Sequence, residues 1–429
     1  MALTIGITVS TVIALIFIIL KSPVLRLGRY KVRIVYWFAP LLGAVLLLAF
    51  GSISFQQAFE GLTGAGGMNP LKILVLFLSM TTLSIFLDEA GMFSYLAGRA
   101  ASFAGGSQVR LFLCLYVVVS VLTVFTSNDI IILTFTPFIC YFAANAGIDP
   151  MPYLFGEFVA ANTWSMMLII GNPTNIYLAT GAGIGFGEYT AVMLLPTVLA
   201  GALALGMLLL IFRKKLKAPM TPQNKEYKIE DKGYVIIGVL LLASCTILLV
   251  LSSYLGFEMW YITLSFAISL FIVIAIYRRI KKKKDHVLLH TLARAPWELI
   301  PFVISMFLIV LSLGSCGVTQ ILSDFLGTDH SVWKYGAASF LSANLINNIP
   351  MAVLFSDIAG DNVAALYASV IGSNLGACLT PIGALAGIMW SGILSRMGIS
   401  FSFGKYVCYG SRISIPALAA ALVGLWLVL

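Results

Sequence analysis

Apolar residues fill this chain in runs of about 20, the length that crosses the hydrocarbon layer of a bilayer as a helix. Such runs predict spans over residues 3–20, 33–51, 70–90, 150–180, 187–212, 233–253, 257–280, 298–320, 364–391 and 405–428. Two other apolar stretches, 111–146 and 333–358, are too long for one crossing and carry polar residues in the middle. The first is interrupted by Thr126-Ser127-Asn128-Asp129, the second by Asn344 and by Asn347-Asn348-Ile349-Pro350. Each reads as a re-entrant hairpin that enters and leaves at one face, because polar backbone at that depth survives only where it lines a protein cavity. The pattern predicts an all-α polytopic membrane protein of about ten full transmembrane helices plus two re-entrant hairpins, with broken helices at the midplane.

Charge sharpens this picture. Lys and Arg number five in 21–33, two in 98–110, seven in 213–232, seven in 278–294 and two in 392–405, which is 23 of the 26 in the chain. With both interrupted stretches as hairpins, all five loops fall on one side, the cytoplasmic side by the positive-inside rule. The opposite loops carry mainly acids: Glu60, Glu188, Glu258, Asp324, Asp329, Asp357 and Asp361. A single crossing through 111–146 would put Arg213, Lys214, Lys215 and Lys217 outside, against that rule. Each half then holds five spans and one hairpin, so the second half is inverted relative to the first. An ungapped offset of 226 aligns 70–96 with 296–322, with identities at Pro70/Pro296, Ser79/Ser305, Met80/Met306, Leu87/Leu313, Gly91/Gly317 and Leu96/Leu322. The expected domains are an N-terminal repeat at 1–212, a cytoplasmic linker at 213–232 containing Pro219 and Pro222, and a C-terminal inverted repeat at 233–429.

Composition removes other classes. The chain is 60% hydrophobic and 10% charged, with mean hydropathy +1.01, far from the roughly 25% charge of a soluble domain. The net charge of +9 sits in loop tracts, which orients a membrane protein and calls for no nucleic acid. Residues 3–20 read as a first span, since no charged leader or small-residue cleavage site accompanies them. The six cysteines are scattered and read as apolar filler. His286 and His290, beside Lys281–Lys284, read as a basic surface segment. No metal-ligand set, nucleophile–base set or P-loop points to an enzyme, a metal or a cofactor.

The candidate chemistry lies in four polar breaks. They are Thr126-Ser127-Asn128-Asp129 at the first hairpin tip, Gly171-Asn172-Pro173-Thr174-Asn175 in the next span, Asn347-Asn348-Ile349-Pro350 at the second tip, and Gly372-Ser373-Asn374 followed by Thr380-Pro381-Ile382-Gly383 in the span after it. Gly171, Pro173, Pro350, Pro381 and Gly383 are expected to break helices and free backbone groups. Half-helix N-termini attract electron-rich groups, and Ser127, Asn128, Asn172, Thr174, Asn175, Asn347, Asn348, Ser373, Asn374 and Thr380 offer both donors and acceptors to a substrate. Asp129 is read as the only acid near the midplane, and Ile349 stands at the matching place in the second tip. A carboxylate there pairs, binds a cation or takes up a proton, and Asp129 is assigned to proton coupling. Asp88 and Glu89 read as interfacial, and Arg412 as snorkelling.

These motifs resemble the ion transporter superfamily, and within it the arsenite efflux pump (ArsB-type) permeases. The matching stretches are 127–137, from Ser127 to Pro137, then 86–93, Pro296-Trp297-Glu298, and 372–386 with Trp390 after it. The likeness runs over nearly the whole chain. It implies a secondary active transporter at the inner or plasma membrane that exports arsenite, antimonite or a similar small oxyanion against protons by alternating access. Ser127, Asn128, Asn347 and Asn348 would lie at its site. Arsenite is mostly the neutral triol at pH 7, which amides and hydroxyls can hold. The element at 171–175 is similar instead to the Gly-x-Pro-x-Asn motif of carboxylate transporters. Those sodium-coupled relatives carry Ser-Asn-Thr at both tips, where this chain has Ser-Asn-Asp and Asn-Asn-Ile. A carboxylate or other organic anion is therefore the second substrate class, and sodium/proton exchange the third. Expected partners are the lipid bilayer, a small-molecule or ion substrate, and a proton or sodium ion. A second copy of the chain and an ATPase subunit are the protein partners left open.

Overall fold

The computed structural model describes residues 1–21, 24–27, 30–33, 35–63, 69–220, 228–399 and 401–429. Pro222, expected in the linker, lies outside the described residues. Helices dominate, and one short antiparallel pair, Val24–Leu27 with Tyr30–Arg33, is added to the expected all-α architecture. The helices up to the linker are α1 (Ala2–Lys21), α2 (Phe38–Ala49), α3 (Phe55–Thr63), α4 (Pro70–Glu89), α5 (Met92–Phe103), α6 (Gln108–Phe125), α7 (Asn128–Ala146), α8 (Met151–Trp164), α9 (Pro173–Gly181) and α10 (Phe186–Leu216). Those after it are α11 (Lys232–Leu255), α12 (Met259–Ile280), α13 (Val287–Arg294), α14 (Leu299–Ser315), α15 (Val318–Leu326), α16 (Ser331–Ile346), α17 (Asn348–Ala359), α18 (Val363–Gly376), α19 (Leu385–Arg396) and α20 (Phe403–Val428).

Among the described residues, eight helices are long and apolar enough to cross a membrane. The expected spans at 150–180 and 364–391 are each two helices, α8 with α9 and α18 with α19. The stretch 33–51 differs from expectation: its helix, α2, has only 12 residues, about 18 Å. The β pair ends at Arg33, α2 begins only at Phe38, and Gly51, at φ 69°, turns the chain soon after Ala49. The arms of the first interrupted stretch are longer than a shallow hairpin needs, with 18 residues in α6 and 19 in α7. Both ends of that stretch nonetheless lie together. Gln108 donates from Nε2 to the Ala218 carbonyl at 2.9 Å, and Lys215 pairs with Asp149 at 2.6 Å. The start of α6 and the segment after α7 thus meet at the basic end of the molecule. The Tyr335 hydroxyl, near the start of α16, donates to the Ile358 carbonyl near the end of α17.

Helices also pack crosswise between the two series. α2 lies on α14 and α12 on α4; α3 lies on α14 and α13 on α4; α7 meets α19 and α17 meets α9; α10 runs along α20. Gly91 and Gly317, identical in the 226-residue offset, both precede a helix in the left-handed region, at φ 81° and 77°. A side chain is strained there, which accounts for glycine at both places.

In lipid, helix association depends on close backbone approach across small residues rather than on a hydrophobic force. The contact of α16 with α18 shows this. A Cβ on Gly372 would overlap the Ser339 hydroxyl and reach the Gly336 carbonyl at 2.6 Å. Gly206, on α10, has nothing within 4 Å of the same position. Gly372→Leu is therefore expected to lower the melting temperature and monodisperse yield of detergent-solubilised protein, by an overpacking penalty of about 1–3 kcal/mol or more. Gly206→Leu should not. Equal melting temperatures for the two variants would contradict this packing.

Candidate functional site

The first break begins where α8 ends at Trp164. A 3₁₀ turn, Ile169–Gly171, follows, and Pro173 opens α9 in the first turn, where its missing N–H removes no intrahelical bond. Asn172 caps that helix, its Oδ1 accepting from the Thr174 N–H at 3.2 Å. Gly171 is required because a Cβ would run into the Ser165 carbonyl. Asn374 of α18 reaches across. Its Oδ1 accepts from Ser165 Oγ at 2.9 Å and Asn172 Nδ2 at 3.0 Å, and its Nδ2 donates to Asn175 Oδ1 at 2.7 Å. Asn175 Nδ2 donates to the Ser165 and Leu168 carbonyls at 2.8 and 3.1 Å.

The tips join this network from both sides. Ser127 holds the N-cap position of α7, and Asn128 donates to Asn162 Oδ1 on α8 at 3.1 Å. Ser165 Oγ also lies 3.0 Å from the Asn162 carbonyl, so its single proton has acceptors in both the first-tip helix pair and the Asn374 cluster. In the second tip Asn347 adopts φ 73°, caps α17 and donates to the Ile382 carbonyl at 2.9 Å. Asn344 donates to the Gly376 carbonyl at 3.0 Å, and Thr380 donates to Asn344 Oδ1 at 2.6 Å. Pro350 lies in the first turn of α17, whereas Pro381 and Gly383 lie between α18 and α19. The N-termini of α7, α9, α17 and α19 thus all arise at polar breaks, each with first-turn N–H groups that have no intrahelical partner and with partial positive charge.

A division among the predicted site residues follows. The amides of Asn172, Asn175 and Asn374 are occupied with one another and with backbone. Among the predicted site residues, four buried oxygens have no hydrogen-bond partner, Ser127 Oγ, Thr174 Oγ1, Asn348 Oδ1 and Ser373 Oγ, and they share this state with others such as Thr163 Oγ1 and the Tyr177 hydroxyl. Each of the four breaks contributes one. Asp129 is partly buried, and among the described residues its carboxylate has no hydrogen-bond or ion-pair partner. Asp88 is not merely interfacial: it pairs with Arg294 at 2.7 Å and accepts from Thr134 of α7 at 2.8 Å. Glu89 pairs with Arg294 at 2.5 Å.

Asp129 is not the only acid inside the molecule. Glu157 of α8 is 2% exposed and accepts from the Thr136 hydroxyl of α7 at 2.9 Å. Its place seven residues into α8, inside Phe155-Gly156-Glu157-Phe158, was the available signal. Asn162, Ser165 and Asn344 are the other network members missed as site residues. A second internal offset, of 212, would have found Asn162. It aligns α8 with α18, matching Asp149/Asp361, Leu154/Leu366, Asn162/Asn374 and Gly171/Gly383. Asn162 and Asn374 both donate to the carbonyl four residues earlier at 2.8 Å.

Cavities approach the belt from both ends. At the basic end one of about 420 Å³ is lined by Trp390, Ser391 and Tyr406 and reaches Pro381. At the other end one of about 350 Å³ is lined by Lys72, Thr180, Glu258 and Trp260. Lys72, 2.6 Å from Glu258, holds that carboxyl below the usual carboxylate range. Ile73 separates this cavity from a small void lined by Thr174, Tyr177 and Ile349.

The chain is similar to the arsenical pump membrane protein of Escherichia coli K12, 29% identical over 374 residues that cover 81% of this chain and 84% of that protein. The arsenical pump membrane protein of Yersinia enterocolitica is 28% identical over 371 residues, with the same coverage of each chain. An uncharacterized transporter of Mycobacterium tuberculosis is 24% identical over 378 residues, covering 83% of this chain and 86% of its own. The family described as citrate transporter matches residues 12–365. A belt of broken helices, crossing-length apolar helices and a family match over most of its length agree: the chain belongs to the citrate transporter family of membrane permeases.

Proposed function

We propose that the chain is a secondary active transporter, built as two inverted repeats at 1–212 and 233–429, that exports arsenite, antimonite or a similar small oxyanion in exchange for protons. The basic loops face the cytoplasm of a cell with this protein in its plasma membrane. The observation that carries this reading is the set of four unpartnered oxygens, one from each polar break. They are neutral, as a triol such as As(OH)₃ requires, and each can donate or accept except the Asn348 amide oxygen, which accepts. Among the described residues no Lys or Arg hydrogen-bonds to any break. Hydroxyls from the substrate would replace the missing partners, and the four helix N-termini would favour its lone pairs. The names of the relatives support the arsenical substrate. Crosswise packing of α7 with α19 and α17 with α9 supports two repeats that rock about a shared site.

A carboxylate is the second reading. It is favoured by the citrate transporter family match and by the Gly-x-Pro-x-Asn element at 171–175. The lack of a cationic partner at the belt weighs against it, since carboxylates are commonly bound by Arg.

Ser127→Ala and Ser373→Ala are each expected to raise the KM for arsenite uptake into everted vesicles about fivefold, the worth of one hydrogen bond of roughly 1 kcal/mol. Unchanged KM in both would remove these hydroxyls from the site, and competition by citrate or succinate would favour the second reading. Asp129→Asn is expected to abolish accumulation that a protonophore collapses in the unaltered chain. Sodium-dependent, proton-independent accumulation would overturn the coupling assigned to Asp129.

A further inference from the structure

Glu157 is unexplained by the belt. It lies on the seam between α7 and α8, where Asn128–Asn162 forms one polar rung and Thr136–Glu157 the next. Eight residues separate Asn128 from Thr136 on α7 and five separate Asn162 from Glu157 on α8, so the second rung stands about 8–12 Å further toward the basic end. Both carboxylate oxygens lie near the same hydroxyl, at 2.9 and 3.1 Å. A buried carboxylate held by one neutral donor is costly, and such a group carries a proton or takes a cation.

Among the described residues no hydrogen bond or ion pair joins Glu157 to a fixed cation. From α7 it meets Thr136 and the buried Cys140 thiol, one turn further on. Of the other helices packed on α8, α18 has no charged residue, and α6 has only Arg110, exposed at its start. The charges of α10 are Glu188 at one end and Arg213, Lys214 and Lys215 at the other. The nearby tyrosine hydroxyls are engaged, Tyr153 with Gln108 and Tyr116 with the Gly201 carbonyl.

We propose that Glu157 is a second proton site, through which the coupling proton passes between the polar belt and the basic end of the molecule. This rests on the proton-coupled reading above. At rest Glu157 is the acid and Asp129 the carboxylate. In the exchange Glu157 loses its proton at the basic end, Asp129 takes one up and gives it up as substrate is handled, and the Glu157 carboxylate takes it and becomes the acid again. Thr136 donates to the carboxylate form and accepts from the acid form. In the next turn Glu157 releases that proton to water at the basic end. Asp129 and Thr136 are seven residues apart, about 10 Å, so water carries the proton between the two acids.

The test uses the full chain in liposomes and needs no substrate for its first arm. Infrared spectroscopy at neutral pH should show the carbonyl band of a protonated carboxylic acid, retained in Asp129→Asn and lost in Glu157→Gln. The same band in Glu157→Gln as in the unaltered chain would overturn the proposal. This arm is decisive even if arsenite proves not to be the substrate, which would sink only the substrate assignment. In the second arm, Glu157→Gln should reduce protonophore-sensitive arsenite accumulation at least tenfold and flatten its pH profile; an unchanged profile would overturn the proposal. If Glu157→Gln does not fold, Thr136→Val replaces it and should shift the pH midpoint of the band, with an unmoved midpoint counting as refutation.

Discussion

Backbone groups freed by a broken helix find no water in the hydrocarbon layer, and each left unpaired there costs several kcal/mol. The breaks in this chain are therefore sealed by side-chain amides, some from the break itself and some from other segments. Asn175 takes the Ser165 and Leu168 carbonyls, Asn344 takes the Gly376 carbonyl, and Asn347 takes the Ile382 carbonyl. Asn374 then ties the first break to the helix before the second. These bonds fix where each half-helix starts, and hence where its N–H groups and dipole lie. Side chains that seal backbone cannot also serve a ligand without reopening the break. The binding capacity of the belt accordingly falls to the atoms left over, of which each break supplies one.

The same constraint separates the roles of amides and acids. Four helix N-termini, each equivalent to roughly half a positive charge, make the breaks attractive to oxygen-rich or anionic groups and unattractive to cations. A proton held near them needs its own carboxylate. The two acids sit accordingly: Asp129 in the first turn of α7, Glu157 further along the same seam. Around them the helices hold position by close approach, as at Gly372 against α16, so motion is expected of whole packed units and not of single side chains.

Much of this was legible in the sequence because the bilayer restricts what apolar sequence can do. A polar tetrad such as Thr126–Asp129 inside an apolar run has few alternatives to a break, and the structure has one there, between α6 and α7. Gly91 and Gly317 matched in sequence and share a left-handed φ, since that backbone state selects glycine directly. Other features depend on partners far along the chain. Nothing local to Asn374 says that its amide will be consumed by Asn172 and Asn175, so saturated and open groups looked alike in sequence. Residues 33–51 were apolar enough for a span, yet the helix there runs only from Phe38 to Ala49, a boundary that hydropathy does not register. Glu157 was passed over because it stands near the start of its span, a place that usually means interface; packing of α7 over α8 buries it.

Equivalence between the halves breaks down at the two acids. Asp129 corresponds to Ile349 in the second tip, and Glu157 corresponds to Ser369 under the offset that aligns α8 with α18. The amides, by contrast, are kept on both sides, as Asn162 and Asn374 show down to the carbonyl each one binds. On the proposed reading of two inverted repeats, the scaffold needs its seals twice, because each half has its own broken helix. It does not need its carboxylates twice. Two like charges in one poorly solvated region repel, and each strengthens the other's hold on a proton, so on the proposed route the two acids share one proton and are not ionised together. Confining both acids to α7 and α8 leaves the second half free to supply neutral contacts alone. On the proposed reading, substrate is shared between the halves while the proton travels along one of them.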